Sequence, residues 1–407
     1  MPESCRPVRT VTGKSIMPGI GNSSKEPERG LSHSLRMKTL IPAILTSALI
    51  SSSALVRADV EREIPTPAPT TQSASGTAAG VPVEQKIPVE RARNAPVFTI
   101  YFENDYFGGE DQHYTNGVKL SWVSGDLSEW GQTGWRESFL KALPFVNKPD
   151  RQKNLGVSLG QNIYTPQDTS LTIPDPTDRP YAGWTYLEFS FISKTDTVMD
   201  TLAIQLGIVG PHSYAEETQT HVHEWINDDV PQGWDSQLKD EFGVNLIFER
   251  KWRMYGRSFG DTLGVDFIPH VGASVGNVQT YANAGGMARL GFNLPSDFGV
   301  DLIRGGGAVS APVDDNDPRV STKKSWSFFV FAGVDGRAVA RDIFLDGNTF
   351  KDSPSVDKKN FVGDAYYGVG AILGTWQLTY TEAVRTIEFK GQDEMSYFGS
   401  VTLSKAF

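Results

Sequence analysis

The stretch 213–234 holds the most pointed chemistry in this chain. Ser213-Tyr-Ala-Glu216 has the spacing of a capping box, so a helix is expected to open there with Ser213 as its N-cap. On that helix Gln219 and His223 stand four residues apart on one face, with Glu216 one turn before Gln219. An imidazole beside an amide and a carboxylate suits general-base work on a water molecule. His221 points about 160° away on helix geometry. Residues two apart do not face each other, which argues against a metal pair with His223. The plainer alternative is a surface helix packed on its neighbours through Tyr214, Val222 and Ile226.

Two other stretches carry candidate groups. Glu103-Asn104-Asp105 and Tyr114-Thr115-Asn116-Gly117 end one apolar run and begin the next, so strand pairing would bring them together. Two acids and two amides at such a rim offer hard oxygen ligands for Ca²⁺, or a group to orient an imidazole. Ordinary turn chemistry is the competing reading, because Asn, Asp and Gly terminate strands everywhere. Loop 164–183 contributes a single base, Arg179, suited either to bidentate phosphate contacts or to a clasp with Asp178. There is no GxSxG elbow and no P-loop.

These groups need elements to hold them, and the pattern from Pro96 onward is of strands. Val97–Phe102, Val118–Val123, Leu155–Ile163, Tyr186–Ile192 and Leu202–Val209 alternate apolar and polar. After an interval come 243–255, 261–276, 279–292, 326–340, 360–372, 375–388 and 396–407. Most run to ~10–15 residues, the length of tilted membrane-crossing strands rather than the usual 5–6. The mean hydropathy of −0.30 fits strands with one face on a polar lumen. Twelve segments and a terminal Ser400–Phe407 strand ending in Phe predict an all-β fold. It would be a 12-stranded antiparallel transmembrane β-barrel with a short helix in an extracellular loop. Such an ending is what outer-membrane assembly machinery reads. Strand parity places loops 103–117, 164–183 and 210–241 outside, and the turn 125–152 in the periplasm.

Composition narrows the class further. The 407 residues carry 38 Lys+Arg against 48 Asp+Glu, a formal charge of −10, which argues against a nucleic-acid partner. The one cysteine, Cys5, excludes a disulfide framework and a cysteine zinc site. Residues 37–58 read as a cleaved export signal, with Met37 a plausible start and the cut after Ala58. The expected organisation is an extension and signal over 1–58, a disordered periplasmic linker over 59–94, and the barrel over 95–407.

The ordered set Glu103-Asn104-Asp105, Tyr114-Thr115-Asn116-Gly117, Ile163-Tyr-Thr-Pro166, Asp178–Trp184, Gly210-Pro211, Gln219-x-x-x-His223 and Pro231-Gln-Gly-Trp234 resembles the outer-membrane lipid A 3′-O-deacylase family (LpxR-like). The resemblance spans about 95–407. It implies a Ca²⁺-dependent hydrolase acting on lipid A, part of lipopolysaccharide, in the outer leaflet of a bacterial outer membrane. The family's site lies between the barrel wall and a loop helix. Carried over by position, its catalytic His falls on His223, its Gln on Gln219, its Asn-Asp pair on Asn104 and Asp105, and its Thr on Thr115. Asp229 stands where the best-known pattern has Glu, with Tyr114 and Arg179 as further substrate contacts. Two departures are visible. No lysine occurs in 164–183, where the family carries one, and the spacing from Asp105 to Thr115 is short.

The expected mechanism is ester hydrolysis by a water that His223 activates. Asn104 or Asp105 would orient the imidazole or bind Ca²⁺, and side-chain amides including Gln219 would meet the oxyanion. Rival readings are an outer-membrane phospholipase and a non-enzymatic structural or binding barrel. A porin fits least, since twelve strands leave a narrow lumen.

Overall fold

Period-two strands carry one apolar and one polar face, so a membrane wall made of them must close and turn its polar face inward. The chain does this. The computed structural model describes residues 95–105, 113–127, 151–260, 262–303 and 311–407, with Gly134 and Ser138 between. The expected signal, the linker, Cys5 and the loop tip 106–112 lie outside these residues. The strands are β1 (Val97–Asn104), β2 (His113–Val123), β3 (Gln152–Thr165), β4 (Ala182–Lys194), β5 (Val198–Val209), β6 (Glu241–Trp252), β7 (Met254–Phe259), β8 (Leu263–Gly276), β9 (Gln279–Phe292), β10 (Trp326–Asp342), β11 (Phe361–Leu373), β12 (Trp376–Arg385) and β13 (Ser396–Ala406).

Every neighbouring pair is antiparallel. The ring closes where β1 meets β13, from Val97↔Ala406 to Asn104↔Gly399. Both β6 and β7 pair with β8. They form one wall strand broken at Arg253, whose N–H turns aside to the Thr197 carbonyl at 2.8 Å. The thirteen segments therefore make a closed barrel of twelve strands, as the alternation predicts, with no free sheet edge to solvate in lipid.

Side-chain parity separates the two faces. Ile100, Phe102, Leu120, Trp122, Leu159, Leu187 and Phe189 are exposed on the outer face. Between them, turned inward and buried, Lys119 donates to Glu188 at 3.1 Å and Gln205 donates to the same carboxylate at 2.8 Å. An apolar outer belt around a polar lumen is the arrangement of a membrane barrel.

The lumen is not left to water alone. Residues 293–325 connect β9 to β10 at the lower rim, the rim where β1 begins, and their described parts, 293–303 and 311–325, lie inside the barrel. Arg289 of β9 bonds to Asp266 (2.9 and 2.6 Å) and to Asp297 of this plug (2.5 Å); Arg319 joins Asp297 (2.8 Å) to Asp317 (2.7 Å). Lys251 holds Asp301 at 2.6 Å. Phe298 and Ile303 pack with Val97, Tyr101 and Val123 of the wall. Of the space that remains, about 70 Å³ lies near the upper end among Tyr114, Tyr164, Tyr186, Phe344 and Phe398.

Candidate active site on the outer face of the barrel

The loop after β5 builds the first half of the site. Gly210, at φ 101°, turns the chain out of the strand, and Pro211–Ser213 makes a single 3₁₀ turn. Helix α1 (Ala215–Ile226) follows, with Tyr214 at its N-cap in the left-handed region. The expected capping box is not formed. No side chain caps this helix, and the Ser213 hydroxyl is buried without a partner. Tertiary contacts outweigh the local motif here: the Ser213 carbonyl accepts from Gln161 (2.8 Å) and Thr185 (2.7 Å), which fixes the loop to β3 and β4. Gly183 lies beneath the helix so closely that a Cβ there would stand 2.2 Å from Cβ of Ala215.

Gln161, Ile163, Gly183 and Thr185 share the parity of the exposed Leu159, Leu187 and Phe189, so α1 lies against the outer, lipid-side face of the wall. Its packing inverts the usual amphipathic order. Ala215, Gln219 and His223 are its buried residues, whereas Tyr214, Val222 and Trp225 are 60%, 42% and 78% exposed. Packing through Tyr214, Val222 and Ile226 is thus corrected: the wall receives the polar stripe, and Ile226 is only half-buried.

That stripe is tightly oriented. Trp234 donates its indole N–H to Gln219 Oε1 at 2.9 Å. Indole can only donate, so the oxygen of the amide is committed and its –NH₂ points elsewhere. This Gln219 Nε2 is buried and has no hydrogen-bond partner among the described residues. His223 Nδ1 lies 2.7 Å from the Asp229 main-chain carbonyl, which can only accept. Nδ1 therefore carries the proton, and in the neutral ring Nε2 offers its lone pair. Neither Asn104 nor Asp105 supplies the observed imidazole contact through Nδ1; the carbonyl of Asp229 does. The Asp229 side chain is exposed.

The second half of the site comes from β1, β2 and β3. The β2–β3 register runs Asn116↔Ile163 and then Tyr114↔Tyr164, leaving Thr115 as the extra residue of a β-bulge. Strict alternation from Lys119 and Gly117 would turn Thr115 into the lumen and Tyr114 out. The bulge exchanges them. Thr115 faces outward, its hydroxyl 2.6 Å from that of Thr165, and its carbonyl accepts from Asn104 Nδ2 at 2.7 Å. Asp105, just beyond β1, is 2% exposed.

Comparison with known proteins bears on this arrangement. The family model described as "Outer membrane protein LpxR" matches residues 69–407. The chain belongs to the LpxR family. LpxR from Salmonella typhimurium has the same fold at TM-score 0.60 and 19% identity, over 76% of this chain and 100% of that one. The β domain of the Bordetella autotransporter BrkA aligns at TM-score 0.35 and 10% identity, over 77% and 99% of the two chains. That similarity is too low to carry an argument. No curated protein matches. Family membership makes this an outer-membrane barrel of the lipid A deacylase family.

Against the family pattern the residues sort into two compartments. Gln219, His223, Asn104 and Thr115 belong to the outer face or its rim. Tyr114 and Arg179 do not. The Tyr114 hydroxyl donates to Glu103 inside the barrel at 3.0 Å. Arg179 is 1% exposed at the lumen mouth, over the Tyr164 ring at 5.0 Å and 3.4 Å from Glu388. Burial alone would raise the Glu388 carboxyl, but Arg385 and Arg179 hold it below its usual range. The clasp with Asp178 exists only through the main chain, Arg179 N–H donating to Asp178 at 2.6 Å. Of the three expected substrate contacts, Tyr114 and Arg179 are therefore placed away from the outer-face site, while Asp229 meets His223 through its main-chain carbonyl. Thr165, Trp234 and Asp229 lie in the motifs of the sequence, but their tasks here, a hydroxyl contact to Thr115, an indole N–H to Gln219 and a main-chain carbonyl to His223, carry no local signal. The Pro231–Trp234 motif was visible, but its task of turning the Gln219 amide was not.

Proposed function

We propose that this protein is an outer-membrane esterase that hydrolyses the 3′-linked acyloxyacyl chain of lipid A with a water activated by His223. The observation that carries the reading is the outer-face stripe of α1. It pairs an imidazole whose tautomer is fixed for base catalysis with a buried amide donor that has no protein partner. An ester in the outer leaflet reaches that face from the side, without entering the barrel. The exposed Val222 and Trp225 then meet acyl chains rather than water.

In the reaction, His223 Nε2 takes a proton as water oxygen bonds to the acyl carbon. The tetrahedral oxyanion receives the Gln219 Nε2–H, a donor worth on the order of 10²–10³ in rate at such sites. Collapse breaks the ester C–O bond, and the leaving 3′-oxygen takes the proton back from His223, giving a fatty acid and a free hydroxyl. Calcium, when bound, would add positive charge beside the oxyanion. Asn104 and Asp105 suit it chemically, an amide oxygen and a carboxylate being hard donors adjacent in the chain. Among the described residues no cluster of three or more acidic, His or Cys side chains could hold a metal unaided. Water and substrate oxygens would complete the shell. On this reading the upper rim and the site would face the cell exterior, as the strand parity of an exported barrel predicts. The strand ending at Phe407 would serve the assembly machinery as its recognition element.

The test is mass spectrometry of lipid A from cells expressing the full chain, with and without chelation of calcium. Loss of the 3′ acyl mass, suppressed by chelator, is the expected result. An unchanged spectrum from an assembled barrel would overturn the reading, and cleavage of phospholipid in the same membranes would redirect it to a phospholipase.

A further inference from the structure

The bulge that turns Thr115 outward is braced from the opposite side of the wall by the plug. Glu103 stands on the lumenal face of β1, paired with Gly117 one step below the bulge. Its carboxylate accepts twice. Oε2 takes the Tyr114 hydroxyl at 3.0 Å, and Oε1 takes the backbone N–H of Ile303, from the plug, at 2.6 Å. Ile303 Cδ1 fills the space that a Cβ on Gly117 would approach to 3.1 Å. The Tyr114 ring is held between Tyr164 (5.5 Å) and the edge of Phe398 (5.4 Å). Tyr114 is bonded in sequence to the bulged residue, so whatever fixes its ring fixes the outward aim of Thr115.

The geometry points to Glu103 and Tyr114 as positioning residues: the plug, through the Ile303 N–H, sets the bulge that presents Thr115 to the site on the other face of the wall. This rests on the esterase reading for its activity arm alone. The lumenal contacts touch no substrate. They act through one peptide unit, and displacement of a reacting group by about 1 Å can cost on the order of 10²-fold in rate. The anchors at Asp297 and Asp301 tie the same plug to the lower half of the wall. The tip at Ile303 is thus delivered by a segment that enters from the opposite rim.

The experiment uses the full chain, purified in lipid–detergent micelles, with folding checked by the heat-dependent gel shift of a closed barrel. Glu103→Ala is expected to lower kcat on lipid A by about 10- to 100-fold with KM changed less than about twofold. Glu103→Gln keeps an acceptor for the Ile303 N–H and is expected to restore most of that loss. Ile303→Pro removes the N–H and leaves the wall untouched, so it should reproduce the loss, and joining it to Glu103→Ala should add nothing further. Amide hydrogen exchange across 113–117 supplies a readout free of substrate, with faster exchange expected in Glu103→Ala. A folded Glu103→Ala protein with wild-type kcat, or with unchanged exchange at the bulge, overturns the proposal. Wild-type protein inert on lipid A would instead sink the esterase reading, and the exchange measurement would then decide the bracing by itself.

Discussion

The two faces of one wall, a few ångströms apart, differ in charge rather than in how completely their polar groups are paired. Lumenal hydroxyls such as Ser190, Thr379, Ser400 and Ser404 are also buried without a partner among the described residues. In the lumen the ionic groups are densely paired. Arg289, Asp266, Asp297, Arg319 and Asp317 form an ion-paired chain, buried throughout. Outside, under α1, the Gln219 amide nitrogen and the Ser213 hydroxyl are buried and unpaired. A buried donor without a partner costs about 1–3 kcal/mol. The lumen network holds plug and wall together by ion pairs, whereas α1 meets the wall with uncharged amide and hydroxyl groups beside an imidazole. On the proposed reading the first stabilises the barrel and the second meets substrate.

That contrast can be broken by substitution. The largest effect on activity is expected from His223→Ala, which should lower kcat for ester cleavage by about 10²–10⁴ in a normally assembled barrel. Gln219→Ala should follow at about 10²–10³, read as kcat with KM little changed. On the lumen side, Arg289→Met leaves Asp297 to Arg319 (2.8 Å) and Asp266 to Arg253 (3.4 Å), and losing the guanidinium between them should cost about 1.5–3 kcal/mol of stability. Because the Ile303–Glu103 contact itself is kept, kcat per folded molecule should fall less than in Glu103→Ala, which denaturant titration and an activity assay on the same samples would show. Gly183→Ala forces α1 off the wall, and about a tenfold loss of kcat with an unchanged barrel melting point is expected.

The smallest effect concerns pH. Burial alone would raise the Asp240 carboxyl, but the His212 N–H at 2.8 Å and ring Nδ1 at 2.6 Å outweigh it and hold it below its ordinary value. A depressed carboxyl contributes stability above its unfolded value and loses it as pH falls through the folded one. Asp240→Asn should therefore melt slightly below wild type at neutral pH, and the gap should close below about pH 4.

Much of this was legible because period two survives along most of the wall, interrupted only locally by bulges, and because Gln219 and His223 keep helical spacing. What was not legible has one physical source, contacts made between distant segments. Arg289 finds Asp266 and Asp297 only once the barrel has closed, so nothing local marks 293–325 as a plug. Ser213 has the neighbours of an N-cap, yet Gln161 and Thr185 take its carbonyl and the motif goes unused. The interruption at Arg253 leaves the alternation of β6 and β7 intact, so the pattern counts one strand where the backbone makes two.

The short spacing between Asp105 and Thr115 looked like a departure that should disturb the site. The bulge shows why it need not. Which way Thr115 points is decided by the phase of β2, counted up from Gly117 and Lys119, and not by the loop above it. Residues added to or lost from 106–112 change the reach of that loop but leave the phase alone. One residue gained or lost at the bulge itself would send Thr115 into the lumen and Tyr114 into the membrane. Loop length can therefore change without turning Thr115, while the step at Thr115 must be kept to the residue.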